Sequence, residues 1–230
     1  MASLLSWLRS EELTSKRKSS SSPSFRQREK DDAKLPNAPD ADPTKQAALR
    51  FLMYFLVPAM FVPGMLDWIW HKQMDIEHTA GTEESITHLL MLMESGTPIV
   101  AALFLEPNAL LLTLAMAGYV AHEATVAWDL NVTDHRRRVP PREQLTHSYQ
   151  EQLPLVGLAL LICTHWDQFL AIFGRGKDKA DWKFRPKRNK VRKSYVVSLI
   201  SAVGLCLMLP YANELWRCLK ADYRAPAACE

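Results

Sequence analysis

The sequence predicts an all-α, polytopic membrane protein with a four-helix transmembrane core and a fifth transmembrane helix appended to it. Between two polar, basic segments, residues 1–46 and 174–193, the chain is mostly apolar. This part and the segment after it contain five apolar stretches near the helical length that crosses a bilayer core of about 30 Å. Tryptophans stand near the ends of these stretches, as in the interfacial belts of membrane proteins. A soluble bundle of this length would not need five such stretches.

The predicted spans, in chain order, cover residues 51–70, 84–105, 109–128, 146–173 and 195–216. Prolines inside the first span agree with this interpretation, because membrane helices tolerate proline better than soluble ones. A tail rich in Ser, Lys, Arg, Asp and Pro precedes them and is expected to be disordered. The expected organisation is a tail (1–46), the four-helix core (47–173), a basic loop (174–193), the fifth helix (194–218) and a second tail (219–230).

Cysteines and short motifs exclude several classes of protein. The four cysteines form no CxxC pair, and Cys163 and Cys206 lie in apolar runs, where cysteine behaves as a small hydrophobe. The sequence contains no P-loop, GxSxG, GxGxxG or protein-kinase signature. It therefore predicts neither a disulfide framework nor a zinc ribbon, and no familiar nucleotide-binding or hydrolase site.

Basic residues predict the orientation in the membrane. Lysine and arginine are concentrated in the N-terminal tail and in residues 174–193, which hold ten of them. Four spans between these segments would place both on one side. The positive-inside rule then predicts a cell inner membrane protein with a cytoplasmic N-terminus and an external C-terminus. The basic loop is expected to lie beside anionic lipid, and no nucleic-acid binding is expected from charge alone.

Histidines and carboxylates recur where four of the spans begin or end on one side. The first span ends in "DWIWH", the second begins in "EESITH", the third ends in "AHEATVAWD", and the fourth begins in "EQLTHSYQE". In an up-down-up-down bundle these four places share one membrane face, predicted to be the extracytoplasmic one. Ionisable groups inside a membrane cost about 3 kcal/mol each, so they tend to mark function.

The spacing within each helix predicts that these side chains share helical faces. A separation of four residues, as between Asp67 and His71, aligns two side chains on one stripe, and a separation of seven does the same over two turns. Imidazole and carboxylate ligands together suit iron, manganese or zinc, and we expect a metal ion, most simply iron. The expected ligands are His71, His88, His122, His147, Asp67, Glu84, Asp129 and Glu151. Residues expected to support them are Glu77, Glu123 and Glu143.

Three kinds of function fit this site. The first is a metalloprotein, for example a di-iron oxidoreductase that acts on a hydrophobic substrate; soluble di-iron bundles also combine histidine and glutamate, although at a different spacing. The second is a b-type haem protein with histidine axial ligands, which the many carboxylates disfavour. The third is a non-catalytic structural or partner-binding membrane protein.

The same residues resemble an uncharacterised bacterial family of small multi-pass membrane proteins. The resemblance covers about residues 63–174 and rests on "DWIWH", Glu77, Glu84-Ser85 with the following His88, "AALFLE", "AHEAT", and "EQ" followed by "HS". It implies the four-helix core and no particular reaction, because no activity is established for that family. Such proteins are sometimes labelled diguanylate cyclases. This chain has no two adjacent glycines, so it lacks the GGDEF signature that the label requires.

Overall fold

The computed structural model describes residues 42–188 and 190–224, and this part of the chain is all-helical. Its only extended pairing is a single antiparallel bridge between Leu105 and Pro186. The expected disorder of residues 1–41 and the tail at residues 225–230 lie outside the described residues. The all-α prediction is confirmed for the described part.

The described residues form five long helices, one short α-helix and a 3-10 turn at Ile76–His78. Four of them, α1, α2, α3 and α6, are each long and apolar enough to cross a membrane. A bent pair, α4 with α5, would make a fifth crossing if it is one span. The helices are α1 (Pro43–Gln73), α2 (Gly81–Phe104), α3 (Ala109–Asp134), α4 (Pro141–Thr164), α5 (Trp166–Ile172) and α6 (Lys193–Arg224).

The helices α1 and α6 each contain one π turn. In α1, Pro43–Phe51 is followed by a π turn at Leu52–Leu56, and α-helix resumes at Val57. In α6, Lys193–Val203 is followed by a π turn at Gly204–Met208, and α-helix resumes at Leu209. Each π turn lies just before a proline, which cannot donate the next helical hydrogen bond.

Helix ends differ from the expectation in three places. Residues 43–46, expected in the tail, already belong to α1, because Asp42 caps that helix through a hydrogen bond from Thr44 N (2.9 Å). Residues 219–224, also expected in a tail, continue α6. The fourth span is not continuous: α5 turns 92° away from α4 at His165, where the backbone leaves the helical region.

The expectation that the fifth span is appended outside the core is wrong. The helix α6 packs against α2 and α1, and it passes beside the predicted site at Tyr211 and Glu214. Gly64 of α1 makes the close approach possible, because a Cβ there would lie 2.8 Å from Leu207 Cδ2 of α6. The Tyr211 hydroxyl donates to Gly64 O (3.0 Å), which joins the two helices at the same level.

The basic segment between α5 and α6 is folded over the turn that joins α2 and α3. Lys187 N donates to Phe104 O (2.7 Å), Glu106 N donates to Arg185 O (2.8 Å), and Asn108 Nδ2 donates to Lys183 O (2.8 Å). This end of the bundle, called the basic end below, lies opposite the end that carries the histidine cluster.

Candidate metal centre

Five helices deliver polar side chains to one buried cluster. The sequence places them in the last two turns of α1 and α3, in the first two turns of α2 and α4, and at Glu214, ten residues before the end of α6; in an antiparallel bundle these places are neighbours. Packing of α2 against α3, α1 against α4, and α6 against α2 brings them together. The side chains of this cluster, called the centre below, are Asp67, His71, Glu84, His88, Asp129, Glu143, His147 and Glu214.

His71 stands in the middle of the centre with its side chain fully buried. Its Nδ1 lies 3.1 Å from Glu214 Oε2, at hydrogen-bond distance. Its Nε2 faces three carboxylate oxygens that are too far away for good hydrogen bonds. These are Asp67 Oδ1 at 3.6 Å, Glu84 Oε1 at 3.6 Å and Glu143 Oε1 at 3.5 Å. The oxygens of Asp67, Glu84 and Glu143 thus all lie close to this nitrogen.

Asp67 connects His71 to the other histidines. Its Oδ1 lies 2.9 Å from His147 Nε2, and its Oδ2 accepts a hydrogen bond from the Tyr211 hydroxyl (3.1 Å). His88 Nε2 lies 3.9 Å from Asp67 Oδ2 and 3.6 Å from Asp129 Oδ2. Both oxygens of this fully buried carboxylate are therefore directed at imidazole groups.

Several nitrogens in the centre have no hydrogen-bond partner among the described residues. They are Nε2 of His71 and both Nδ1 and Nε2 of His88, all of them buried. A buried polar atom without a partner costs about 1–3 kcal/mol, so native structures rarely leave one. Three such atoms within one cluster leave positions that a metal ion or another bound group could take.

The centre also buries an excess of negative charge. Its carboxyl groups are at most 4% exposed, and they are those of Asp67, Glu84, Asp129, Glu143 and Glu214. The guanidinium of Arg137, from the loop after α3, hydrogen-bonds Glu84 and Glu143 and supplies one fixed positive charge. The remaining excess must be offset by protons on the histidines and carboxyl groups or by bound cations.

Arg137 lies outside the helices, and its environment stabilises the charged form. Burial alone would lower the pKa of its guanidinium, but the hydrogen bonds and negative charges of Glu84 and Glu143 raise that pKa above its ordinary value. The same guanidinium covers oxygens that a metal ion would use, so Arg137 and a cation compete for these two carboxylates.

The geometry fits a metal ion with mixed nitrogen and oxygen ligands. Two ligand sets have all their atoms within 4.8 Å of one another: Asp67, His71, His88 and His147, and His71, Glu84 and Glu143. Ligands of a tetrahedral ion with bonds of about 2.1 Å stand about 3.4 Å apart, close to the distances around His71 Nε2. Because both sets use His71, two ions would need a carboxylate bridge instead of a shared nitrogen.

The same residues do not fit a haem. The imidazole rings of His71 and His88 are only 4.6 Å apart and tilted by 40°, so no porphyrin plane can lie between them. The rings of His88 and His147 are 5.8 Å apart, and the Asp67 carboxylate lies beside the Nε2 atoms of both rings. Haem pockets are mostly apolar, whereas this centre is rich in carboxylates.

An apolar cavity of about 140 Å³ adjoins the centre and is partly open at its side. Its polar wall includes His88, His147 and Asp129. The remaining wall is mostly apolar, with side chains such as Met60, Phe61, Met91, Leu92, Val126 and Leu207. The centre therefore borders a space suited to a hydrophobic group.

His122, an expected ligand, lies outside the centre. It is two helical turns from Asp129 along α3, about 10 Å, near the middle of the helix. Its Nδ1 lies 3.2 Å from Ser95 Oγ and 3.9 Å from Glu94 Oε2, while its buried Nε2 has no hydrogen-bond partner among the described residues. The seven-residue spacing puts His122 and Asp129 on one face of α3, but it also puts His122 about two turns away from the centre along that helix.

Three other expected residues also lie apart from the centre. Glu151 lies on the cavity wall, one turn beyond His147. Glu123 interacts with Tyr119, and Glu77 binds Arg217 through both carboxylate oxygens (2.7 and 2.6 Å). Glu143, expected only to support the ligands, instead belongs to one of the two possible ligand sets.

The structure adds three residues that the sequence argument did not place at the site: Tyr211, Glu214 and Arg137. The sequence did contain a signal for Tyr211 and Glu214, because the fifth span, like the first and third, ends on the side that carries the predicted site. Glu214 near the end of the fifth span is therefore at the depth of the centre. Arg137 carried no comparable signal, because three consecutive arginines in a loop are equally compatible with solvent exposure.

Comparisons of the chain with protein-family models, with curated proteins and with solved structures found no match. The function is therefore argued from the geometry of the centre.

Proposed function

We propose that this protein is an integral membrane metalloprotein whose centre acts on a hydrophobic substrate held in the adjoining cavity. The observation that carries the proposal is the set of buried, unpartnered imidazole nitrogens beside an excess of buried carboxylates. A pair of divalent cations would satisfy both. A mixed imidazole and carboxylate ligand set favours iron, with manganese and zinc as alternatives.

The chemistry proposed for the centre is oxidation of the substrate. Iron held by these residues would supply dioxygen activation. Oxidation of a C–H bond to an alcohol by dioxygen also needs two electrons and two protons from a reductant, and it releases water. The chain's own residues would bind the metal through His71, His88 and His147, hold it beside the cavity, and keep water out with the apolar wall.

Metal content tests the proposal. Protein purified in detergent should carry iron, manganese or zinc in stoichiometric amount by elemental analysis, and the His88→Ala variant should lose most of it. His135→Ala is the matched control, because this exposed histidine interacts only with Asn131 O of its own helix (2.7 Å) and should leave metal content unchanged. A visible spectrum with a strong Soret band, or equal metal content in both variants, would refute the proposal.

One observation favours a second candidate, a metal-free polar core with a structural role. Arg137 already binds Glu84 and Glu143, and His147 already binds Asp67. Protonated histidines could then offset the remaining charge. This candidate predicts no bound metal, and a chelator should leave the thermal unfolding temperature unchanged.

A further inference from the structure

A second and much larger cleft runs from the middle of the bundle to the basic end. Its volume is about 1580 Å³, it is partly open at its side, and its walls come mainly from α1, α2, α3 and α4. Its inner end meets the cavity beside the centre. The residues that line both spaces are Val57, Met60, Ser95, Ile99, His122 and Pro154. The two spaces therefore adjoin at the depth of His122.

The helices α2, α3 and α4 each turn mainly one face to this cleft. On α3 and α4 the lining residues recur every three or four positions, the spacing of a single helical face. They are Ala115, Gly118, Tyr119 and His122 on α3, and Pro154, Gly157, Leu158 and Leu161 on α4. The glycines widen the cleft, since a Cβ at Gly118 or Gly157 would meet no atom closer than 3.4 Å. A Cβ therefore fits at either position at ordinary contact distance, and a longer side chain there would take up space in the cleft or displace the neighbouring side chains.

The combined space is long. Ala102 lines the cleft near the basic end, and His88 lines the cavity beside the centre. Both lie on α2, about 21 Å apart at 1.5 Å per residue. Half of a bilayer core is about 15 Å thick, so the space passes beyond the middle of the membrane. A flexible apolar chain has the shape to occupy it.

The mouth of the cleft at the basic end offers a partly buried ammonium group. Lys187 Nζ donates to Ala102 O (2.7 Å), and burial lowers the pKa of Lys187 while the charge of Glu106 opposes that change only in part. Lys190 and Arg192 line the same mouth. Acidic groups line the cleft too: Asp42, Glu94, Glu106, Asp167, Asp178 and Asp181. Asp181 pairs with Arg185, and Glu106 accepts from Arg188 N (2.7 Å) while its charge acts on Lys187. An anionic headgroup would add a second counter-charge beside the Lys187 ammonium.

We propose that the substrate is a single-chain anionic amphiphile of the fatty-acid class, with its headgroup at Lys187 and its chain in the cleft. The far end of the chain then reaches the cavity beside His88 and His147. This inference rests on the proposed function, because it takes the centre as the place where the chain is changed. It also gives the basic end a role in substrate binding in addition to contact with lipid headgroups.

Photoactivatable fatty acids test the proposal on full-length protein in detergent. A probe with its diazirine at the chain end should label peptides that line the cavity, around Met91 and Leu92. A probe with its diazirine next to the carboxylate should label residues 181–188. The reverse order would mean entry from the membrane face beside the centre and would overturn the proposal.

Filling the cleft provides the matched comparison. Gly118→Leu should abolish saturable labelling, while Val120→Leu, on a side chain of the same helix that is 69% exposed, should leave it unchanged. Gly157→Leu repeats the test from α4 if Gly118→Leu folds poorly. Equal labelling of the cleft and control variants would show ordinary lipid contact and refute the proposal.

The headgroup is tested separately. Lys187→Gln should weaken binding of a long-chain fatty acid roughly tenfold, as expected for a lost hydrogen bond to a charged group, without weakening binding of the corresponding alcohol. An equal loss of affinity for the acid and the alcohol would show that Lys187 only binds the end of α2 through Ala102 O. It would refute the assignment of the headgroup to Lys187. Labelling does not require metal, so metal-loaded protein without labelling refutes this inference alone. Labelling without metal refutes the proposed function alone.

Discussion

Glu214 determines which nitrogen of His71 faces the other ligands. An ionised carboxylate only accepts hydrogen bonds, so an ionised Glu214 at 3.1 Å would hold the proton on His71 Nδ1 and leave the Nε2 lone pair for a metal ion. Such partners of metal-binding histidines are typically worth 10–100-fold in metal affinity. We therefore expect Glu214→Gln to weaken metal binding by roughly that factor, measured by competition with a chelator.

Asp222→Asn serves as the control for Glu214→Gln. Asp222 lies on the same helix and accepts a hydrogen bond from Thr82 (2.5 Å), but it is exposed and distant from the centre. Metal affinity should be unchanged in this variant. An equal loss in both variants would mean that α6 acts through general packing and not through the His71 tautomer.

Arg137 and Arg136 are adjacent arginines in contrasting environments. Arg137 pairs with the buried Glu84 and Glu143, whereas Arg136 pairs with Glu83 where both side chains are about 40% exposed. Removing one partner of a buried ion pair costs about 3–5 kcal/mol, and an exposed pair contributes about 0–1 kcal/mol. Arg137→Gln should therefore lower the stability of the metal-free protein strongly, and Arg136→Gln hardly at all.

Competition between Arg137 and a metal cation for Glu84 and Glu143 can be measured as a second effect of Arg137→Gln. Without the guanidinium, Glu84 and Glu143 are open to metal, so added metal should raise the thermal unfolding temperature more in Arg137→Gln than in the unmodified protein. Thermal scans with metal and with chelator measure this difference. An identical metal-induced shift in the two proteins would contradict the competition.

At the scale of helices, the contact between α1 and α6 holds Tyr211 and Glu214 at the centre. Gly64→Val should push α6 outward, since even a Cβ at this position lies 2.8 Å from Leu207 Cδ2. Overpacking of this kind costs about 1–3 kcal/mol, and metal affinity should fall with it. Thermal unfolding and metal content of the purified variant measure the two effects.

A second substitution tests whether the effects of Gly64→Val come from its contact with Leu207. Leu207→Ala should restore stability and metal content to Gly64→Val, because it removes the atom that the valine meets. Gly96→Val is the control, since a Cβ there meets no atom within 4 Å. If Leu207→Ala fails to rescue, the glycine contributes through something other than close helix contact.

The helices themselves were largely predictable from sequence, while their partners were not. Apolar stretches of membrane length located α1, α2, α3 and α6, and a separation of four residues aligned Asp67 with His71. The break at His165 was missed because the fourth stretch as a whole is apolar enough for one span, although polar residues interrupt it at the bend. There the His165 ring lies at hydrogen-bond distance from Leu161 O (3.0 Å). The role of α6 was missed because packing between Gly64 and Leu207 joins residues far apart in the chain.

The whole molecule makes a prediction about topology. If the pair of α4 and α5 counts as one crossing, the chain crosses five times and its termini lie on opposite sides. The basic residues favour a cytoplasmic N-terminus, which would place the centre near the outer face. Epitope tags at the two ends should therefore differ in accessibility to protease in intact cells, with only the C-terminal tag cleaved. Cleavage of both tags, or of neither, would show an even number of crossings.

The cleft could not have been predicted at all. Its walls combine ordinary apolar residues of four helices, and its width depends on how those helices cross. The polar residues of the centre are different, because an ionisable group in an apolar stretch is conspicuous in the sequence. His122 combines the two situations. Its residue type made it a candidate in the sequence, but only the packing around it shows that it lies where the cavity and the cleft meet.

The π turns of α1 and α6 have a consequence for how these helices can change. A π turn takes up one residue more than an α turn, and one residue rotates everything after it by about 100°. In α1 the segment before Val57 lines the cleft, and the segment after it presents Asp67 and His71 to the centre. The extra residue thus sets the rotation of one half of α1 relative to the other about the helix axis. Deleting a single residue from Leu52–Leu56 would leave both halves helical and turn one of them toward the lipid.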